Sequence, residues 1–182
     1  MSRIIENPQK LILSKAKEIL YNEGYPKLTM RNVSKACDIA LGTIYNYYPT
    51  KKELVVEMMT DYWREYMDVT QDIAISNYEF YDKLNKIFDT LSVFIKTFKD
   101  AWLKPKLYDN PDYVSYGMER EHIYIEKLVH LIEDILIKDN KVNNSLGYYE
   151  TAKFIVMNFI TIIQMPAFKY SSFEVVLKEL LN

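Results

Sequence analysis

Side chains that do covalent or metal chemistry are few in this chain and do not form sets. There are 2 His and 1 Cys in 182 residues. Glu119-x-x-His122 has the i, i+3 spacing of half a carboxylate-bridged di-metal site, with Glu126 one turn on. Such a site needs a second E-x-x-H, and the sequence has none. His122 and His130 stand eight apart, not at the i, i+4 spacing of a zinc-protease helix. Cys37 alone excludes an intrachain disulfide framework and a multi-cysteine zinc module, and it suits a reducing compartment. Glycine-rich phosphate loops, nucleophile elbows and Cys–His combinations are all missing. Catalytic groups come as geometric sets, so neither an enzyme nor a cofactor is expected. A different chemistry is concentrated at Gly42, Thr43, Tyr45 and Asn46, followed by Lys51. Hydroxyl, amide and ring edges beside a cation are the groups that read base edges and hold phosphates.

Helices must position those groups. With 49% apolar residues but only 4 Gly and 6 Pro, the chain has too little turn chemistry for a many-stranded fold, and all-α is expected. Asn7-Pro8 reads as an N-cap with Pro at the first helical position, and Leu11, Ile12, Ala16, Ile19 and Leu20 keep helical spacing until Gly24. Thr29 then caps a short helix over MRNVSKACD, with Met30, Val33, Ala36 and Cys37 expected on its buried face. Asp38 occupies a tight turn. A third helix, LGTIYNYY, runs until Pro49, and Thr50-Lys51-Lys52-Glu53 opens a fourth as a T-x-x-E capping box. If Ile44 and Tyr48 are the buried i, i+4 pair, then at 100° per residue Gly42, Thr43, Tyr45 and Asn46 turn outward. Two short helices across a tight turn, packed on a longer one, have the form of a helix-turn-helix. The segment is also basic: residues 1–55 carry 9 Lys+Arg against 5 Asp+Glu, whereas residues 56–182 carry 14 against 20.

The run LTMRNVSKACDIALGTIYNYYPTKKEL, residues 28–54, resembles the DNA-binding signature of the TetR family of transcriptional repressors, and AKEILYNEGY, residues 16–25, resembles that family's first helix. The resemblance implies an N-terminal DNA-binding domain, residues 1–52, and a helical effector-binding and dimerisation domain, residues 53–182. Base and backbone contacts are expected from Leu41, Gly42, Thr43, Tyr45 and Asn46 on the third helix. Phosphate contacts are expected from Thr29 and Arg31 on the second helix, from Lys51 on the fourth, and from Tyr47, which takes the place of a phosphate-contacting aromatic or His in the family. Two positions depart from the pattern: Asp38 stands where Gly is common, and Ala40 where a Ser or Thr cap is common. A lost capping hydroxyl costs about 1 kcal/mol.

Beyond residue 55 the periodicity predicts the fourth helix to about residue 75. Further helices are expected over 78–102 (Leu84, Ile87, Phe88, Leu91, Phe94, Ile95, Phe98 and Trp102 on one stripe), 113–138, 148–165 and the closing SSFEVVLKELLN. Residues 104–112, with two prolines, read as a loop. Phe173, Val176, Leu177, Leu180 and Leu181 form the apolar side of the last helix. The helix at 148–165 is apolar almost all round, which predicts one face in the core and another against a symmetry mate, so that a homodimer forms through the last two helices. By the same resemblance the C-terminal helices hold an apolar or aromatic small-molecule effector. Its candidate contacts are Tyr62, Tyr66, Phe88, Phe94, Phe98 and His122, with Met157, Asn158 and Thr161 on the apolar helix; ordinary core packing competes for the aromatics, and a solvent strip or dimer hydrogen bonds for Asn158 and Thr161.

The longest apolar stretch, residues 154–168, is interrupted by Asn158, Thr161, Gln164 and Pro166, short of the ~20 residues that span a bilayer. No secretory signal heads the chain, so a cytoplasmic location and no membrane partner are expected. The expected function is that of a homodimeric regulator of a palindromic double-stranded operator, released by a small molecule. Its rivals are a helix-turn-helix dimer controlled by a protein partner and a metal enzyme built on the helical bundle.

Overall fold

The structure is a computed structural model that describes residues 6–102, 111–142, 145–165 and 167–181; the side chains of residues 98–102, 111–114, 116 and 117 lie outside the description. The described residues form eight α-helices and one 3-10 turn, Tyr25–Lys27. In chain order these are α1 (Pro8–Glu23), α2 (Met30–Cys37), α3 (Leu41–Tyr47), α4 (Lys51–Ile75), α5 (Phe80–Trp102), α6 (Pro111–Lys138), α7 (Gly147–Gln164) and α8 (Tyr170–Leu181). Two compact units result: residues 1–62 with 98–118, and residues 63–97 with 119–182.

In the first unit the capping residues act as the spacing predicts. Asn7 Oδ1 accepts from Lys10 N at 3.0 Å, Thr29 Oγ1 from Asn32 N at 3.1 Å and Thr50 Oγ1 from Glu53 N at 3.1 Å. Each satisfies one donor that a helix start leaves unpaired. Gly24 ends α1 at φ 83°, a conformation side chains disfavour. Ile12, Leu13, Ala16, Ile19 and Leu20 of α1 meet Met30, Val33 and Cys37 of α2, Ile44 of α3 and Leu54, Val55 and Met58 of α4 in one core. The expected domain division after residue 52 thus falls inside α4, whose next turns belong to this core.

One face assignment changes. Ala36 is exposed and Ser34 is buried instead. With Met30 at 0°, Val33, Ser34 and Cys37 lie within about 60° of it, whereas Ala36 points about 120° away. The Ser34 hydroxyl makes its burial tolerable by donating to the Ile39 carbonyl oxygen at 2.6 Å, across the turn.

In the second unit, Leu84, Ile87, Leu91 and Phe94 of α5 are buried as the stripe predicts, with Phe88 half-buried. Of the same stripe, the side chains of Phe98 and Trp102 lie outside the described residues, as does most of the loop expected at 104–112. α7 buries Thr151, Ala152, Ile155, Val156, Phe159 and Ile162 but leaves Phe154 and Met157 in solvent. α8 buries Phe173, Leu177 and Leu181; Val176, expected on that side, is 53% exposed. It lies about 100° round the helix from Leu177, at the edge of the apolar stripe rather than its centre.

Candidate nucleic-acid interface

The turn between α2 and α3 is built around Asp38, which takes the left-handed conformation (φ 54°, ψ 44°). Its N–H donates to Lys35 O, and Ile39 N donates to Ser34 O, each at 3.2 Å. Asp can adopt this conformation because its short polar side chain tolerates it better than most. The chain then re-enters helix at Ala40, which offers no side-chain cap. The Ala40 carbonyl oxygen accepts from both Thr43 N (2.9 Å) and Ile44 N (3.3 Å), a tight first turn.

Helix α3 is anchored from beneath by Ile44, fully buried, and by Tyr48, which follows the helix and is also buried. That anchor orients everything above it. Gly42, Tyr45, Asn46 and Tyr47 are exposed, and Leu41 and Thr43 are half-buried. Tyr45 and Tyr47 expose 45% and 42% of their surface, large values for aromatic residues on a seven-residue helix. Gly42 has open space where a Cβ would stand, so the backbone is accessible from outside. Thr29 and Arg31 are exposed at the start of α2. One surface therefore offers an amide, two phenols, an accessible backbone turn and a guanidinium.

Lys51, expected to contact a phosphate, is also engaged within the chain. Its ammonium lies 3.6 Å from the centroid of the Tyr25 ring and 3.5 Å from the Tyr25 carbonyl oxygen. The 3-10 turn at residues 25–27, read from sequence only as a helix break, brings that ring to the start of α4. Lys51 thus joins the two elements by a cation–π contact and keeps its charge at the rim of the surface. A second link missed by the sequence reading is the ion pair of Lys17 on α1 with Asp61 on α4, Nζ to Oδ2 at 2.7 Å.

Among the described residues of the second unit, those expected to hold an effector fall into separate groups. Tyr62 belongs to the first unit. Tyr66 and Phe94 meet, ring centroids 4.9 Å apart, with Trp63 and Tyr124 beside them. Phe88 packs elsewhere, against Phe159 and Tyr170. Met157, 41% exposed, and Thr161 face outward on α7, with Asn158 half-buried beside them. Asn158 and Thr161 satisfy themselves on their own helix, donating to the carbonyl oxygens of Phe154 and Met157 at 2.8 Å each. His122 is exposed, and the Phe98 side chain is outside the described residues. The sequence reading did not name Trp63 or Tyr124, although Trp63 stands i, i+3 from Tyr66 on α4.

Of the groups weighed for a metal site, Glu126 and His130 enter a surface network, and Glu119 and His122 are exposed. His130 Nδ1 lies 3.0 Å from Glu133 and its Nε2 3.9 Å from Glu126, while the Tyr149 hydroxyl donates to Glu126. That hydrogen bond is the chief reason the Tyr149 phenol is raised above its ordinary value. Among the described residues no group of three or more His, Cys, Asp or Glu is placed to hold a metal ion. No described helix is long and apolar enough to cross a membrane.

Residues 12–58 match the family model described as bacterial regulatory proteins, tetR family. Over 77 residues the chain is 31% identical to the HTH-type transcriptional repressor KstR of Mycolicibacterium smegmatis, covering 42% of this chain and 38% of that protein. The chain spans between 20% and 47% of the length of the curated relatives it matches. Among solved structures, a transcriptional regulator from Cytophaga hutchinsonii superposes with a TM-score of 0.72 at 17% identity, over 94% of this chain and 91% of that one. The transcriptional regulator FadR from Bacillus subtilis, in complex with stearoyl-CoA, superposes with a TM-score of 0.61 at 15% identity, over 95% and 97%.

Proposed function

We propose that this chain, whose residues 12–58 are a TetR-family DNA-binding domain, is a homodimeric transcriptional repressor that grips a palindromic operator and lets go when a small molecule binds its helical unit. The observation that carries the reading is the two-sidedness of α3: Ile44 and Tyr48 lock it to the core while Tyr45, Asn46 and Tyr47 stand in solvent. Two exposed aromatics beside an amide, next to a backbone with room at Gly42, are well matched to a major groove. Thr29, Arg31, Tyr47 and Lys51 supply the surrounding phosphate contacts, and a cytoplasmic location follows from a target that is chromosomal DNA.

A dimer is supported by the second unit. The outer stripe of α7 presents Phe154 and Met157, and α8 presents Val175 and Val176, all exposed in the single chain. Apolar side chains grouped on neighbouring terminal helices call for a partner surface. A two-fold mate supplies it and matches two half-sites on DNA. Release works through α4, which runs unbroken for 25 residues from the Thr50 cap. An effector that binds better to one position of α4 shifts the population toward it and changes the spacing of the recognition helices.

Selection from a random duplex-DNA pool at two salt concentrations tests the reading without a guess at the operator. The expected result is an enriched palindrome whose binding falls steeply with salt. Recovery of no motif by folded dimer would count against the regulator.

A further inference from the structure

In the second unit Tyr66, Tyr81, Asp139 and Tyr170 each hold a buried side-chain oxygen without a hydrogen-bond partner among the described residues, and of the four only Tyr66 is buried as a whole residue. Its hydroxyl is buried and has no hydrogen-bond partner among the described residues. Buried hydroxyls are nearly always paired, because one left unpaired forfeits the hydrogen bonds it made to water. Its neighbours are aromatic. The Trp63 and Tyr124 rings lie within 6° of parallel at 5.3 Å between centroids, Phe94 stands 4.4 Å from Trp63, and Tyr66 meets Phe94 at 4.9 Å and Trp63 at 6.1 Å. Three helices contribute: α4 brings Trp63 and Tyr66, α5 Phe94 and α6 Tyr124.

We propose that Trp63, Tyr66, Phe94 and Tyr124 form the effector site, and that it takes a planar aromatic molecule without positive charge that carries one hydrogen-bond acceptor, held by the Tyr66 hydroxyl. This rests on the regulator reading above and supplies the ligand class that reading left open. Flat side-chain rings, two of them already parallel, favour a flat ring in offset-stacked or edge contact over a branched aliphatic one. Tyr66 hydroxyl has a proton to give and no acceptor, which asks for a carbonyl or ether oxygen or a ring nitrogen on the ligand. A positive charge is excluded. The Lys127 ammonium already lies over the Tyr124 ring at 4.7 Å, so a cationic ligand would meet like charge where cation–π attraction is taken. Burial alone raises the Tyr66 phenol above its ordinary value, so it remains a neutral hydrogen-bond donor toward a ligand.

The test uses the full chain with Trp102→Phe, which leaves Trp63 as the sole tryptophan. Three probes are titrated while its emission is followed: coumarin, planar with a carbonyl acceptor; naphthalene, of similar outline without one; and N-methylquinolinium, its cationic counterpart. Coumarin is expected to bind about tenfold tighter than naphthalene, the worth of one hydrogen bond to an otherwise unpaired buried hydroxyl, and the cation no tighter than naphthalene. Tyr66→Phe should erase the coumarin advantage while leaving naphthalene binding unchanged. The ligand-free Tyr66→Phe protein should melt no lower than its parent, an outcome that a structurally paired hydroxyl would not give. Tightest binding by the cation, a coumarin advantage that survives Tyr66→Phe, or no response of Trp63 emission to any probe overturns the proposal. Because binding is read without DNA, the two levels fail separately. An operator recovered by a protein that binds no probe removes the ligand site alone, and coumarin binding by a protein that enriches no DNA motif removes the regulator.

Discussion

Ala40→Ser should stabilise α3, the proposed recognition helix. Three of the first four helices begin with a side-chain oxygen that accepts the N–H three residues on, at 3.0 to 3.1 Å, from Asn7, Thr29 and Thr50. The fourth, α3, begins at Ala40, whose backbone is already extended (φ −61°, ψ 141°) as an N-cap requires. A serine there needs no backbone change, and its Oγ falls within reach of Thr43 N, the equivalent position. The gain is about 1 kcal/mol, the usual worth of an N-cap hydroxyl over alanine. For a chain of this length that raises the melting temperature by about 2–4 °C if it melts as one unit. A helix that frays less also keeps Tyr45 and Asn46 in register, so operator affinity should rise by up to about fivefold, the equivalent of 1 kcal/mol. Thermal and urea denaturation of the wild type and Ala40→Ser, with Thr29→Ala as calibrator, measure the effect. Thr29→Ala losing about 1 kcal/mol while Ala40→Ser gains nothing would refute the reasoning, because it would show that the α3 start lacks the geometry its dihedral angles imply.

Three further outcomes follow from the same unit. Tyr47→Phe and Lys51→Ala should weaken binding to every DNA sequence, the latter lowering the salt slope by about 1, whereas Asn46→Ala should relax sequence preference; unchanged affinity of Lys51→Ala across salt would show that the contact with Tyr25 is its whole role. The Lys17–Asp61 pair, with 14% and 26% of its side chains exposed, should show a coupling of about 1 kcal/mol in a double-mutant cycle of Lys17→Met and Asp61→Asn, and strictly additive losses would count against it. Burial holds the Cys37 thiol above its ordinary value, with Lys15 opposing. A raised folded value stabilises the fold below the ordinary thiol range and loses that contribution as pH climbs through the folded value, so the native protein should loosen at alkaline pH and Cys37→Ala should flatten the decline. Iodoacetamide should label Cys37 slowly until denaturant is added; labelling at the rate of an exposed thiol would be incompatible with its burial between α1 and α2.

How far the sequence reaches can be judged from particular residues. Asn7, Thr29 and Thr50 cap within three residues of themselves, and Asp38 turns the chain by its own left-handed conformation, so local pattern suffices to place α1 to α4. The buried pair Ile44 and Tyr48 likewise follows from helical period, and with it the exposure of Tyr45, Asn46 and Tyr47. What lies across sequence distance is decided otherwise. Lys51 is drawn to Tyr25, Lys17 to Asp61, and Tyr66 of α4 meets Phe94 of α5, pairings between elements that no spacing within one helix encodes. The expected effector residues show the same limit: an apolar stripe states that a side chain is buried, not against which partner. Helix type, caps and most faces were determined by the sequence because each depends on a few neighbouring residues, whereas the burial of Ser34 in place of Ala36, the cation–π clamp, the α1–α4 ion pair and the aromatic cluster around Tyr66 were decided only by the tertiary packing of one helix face on another.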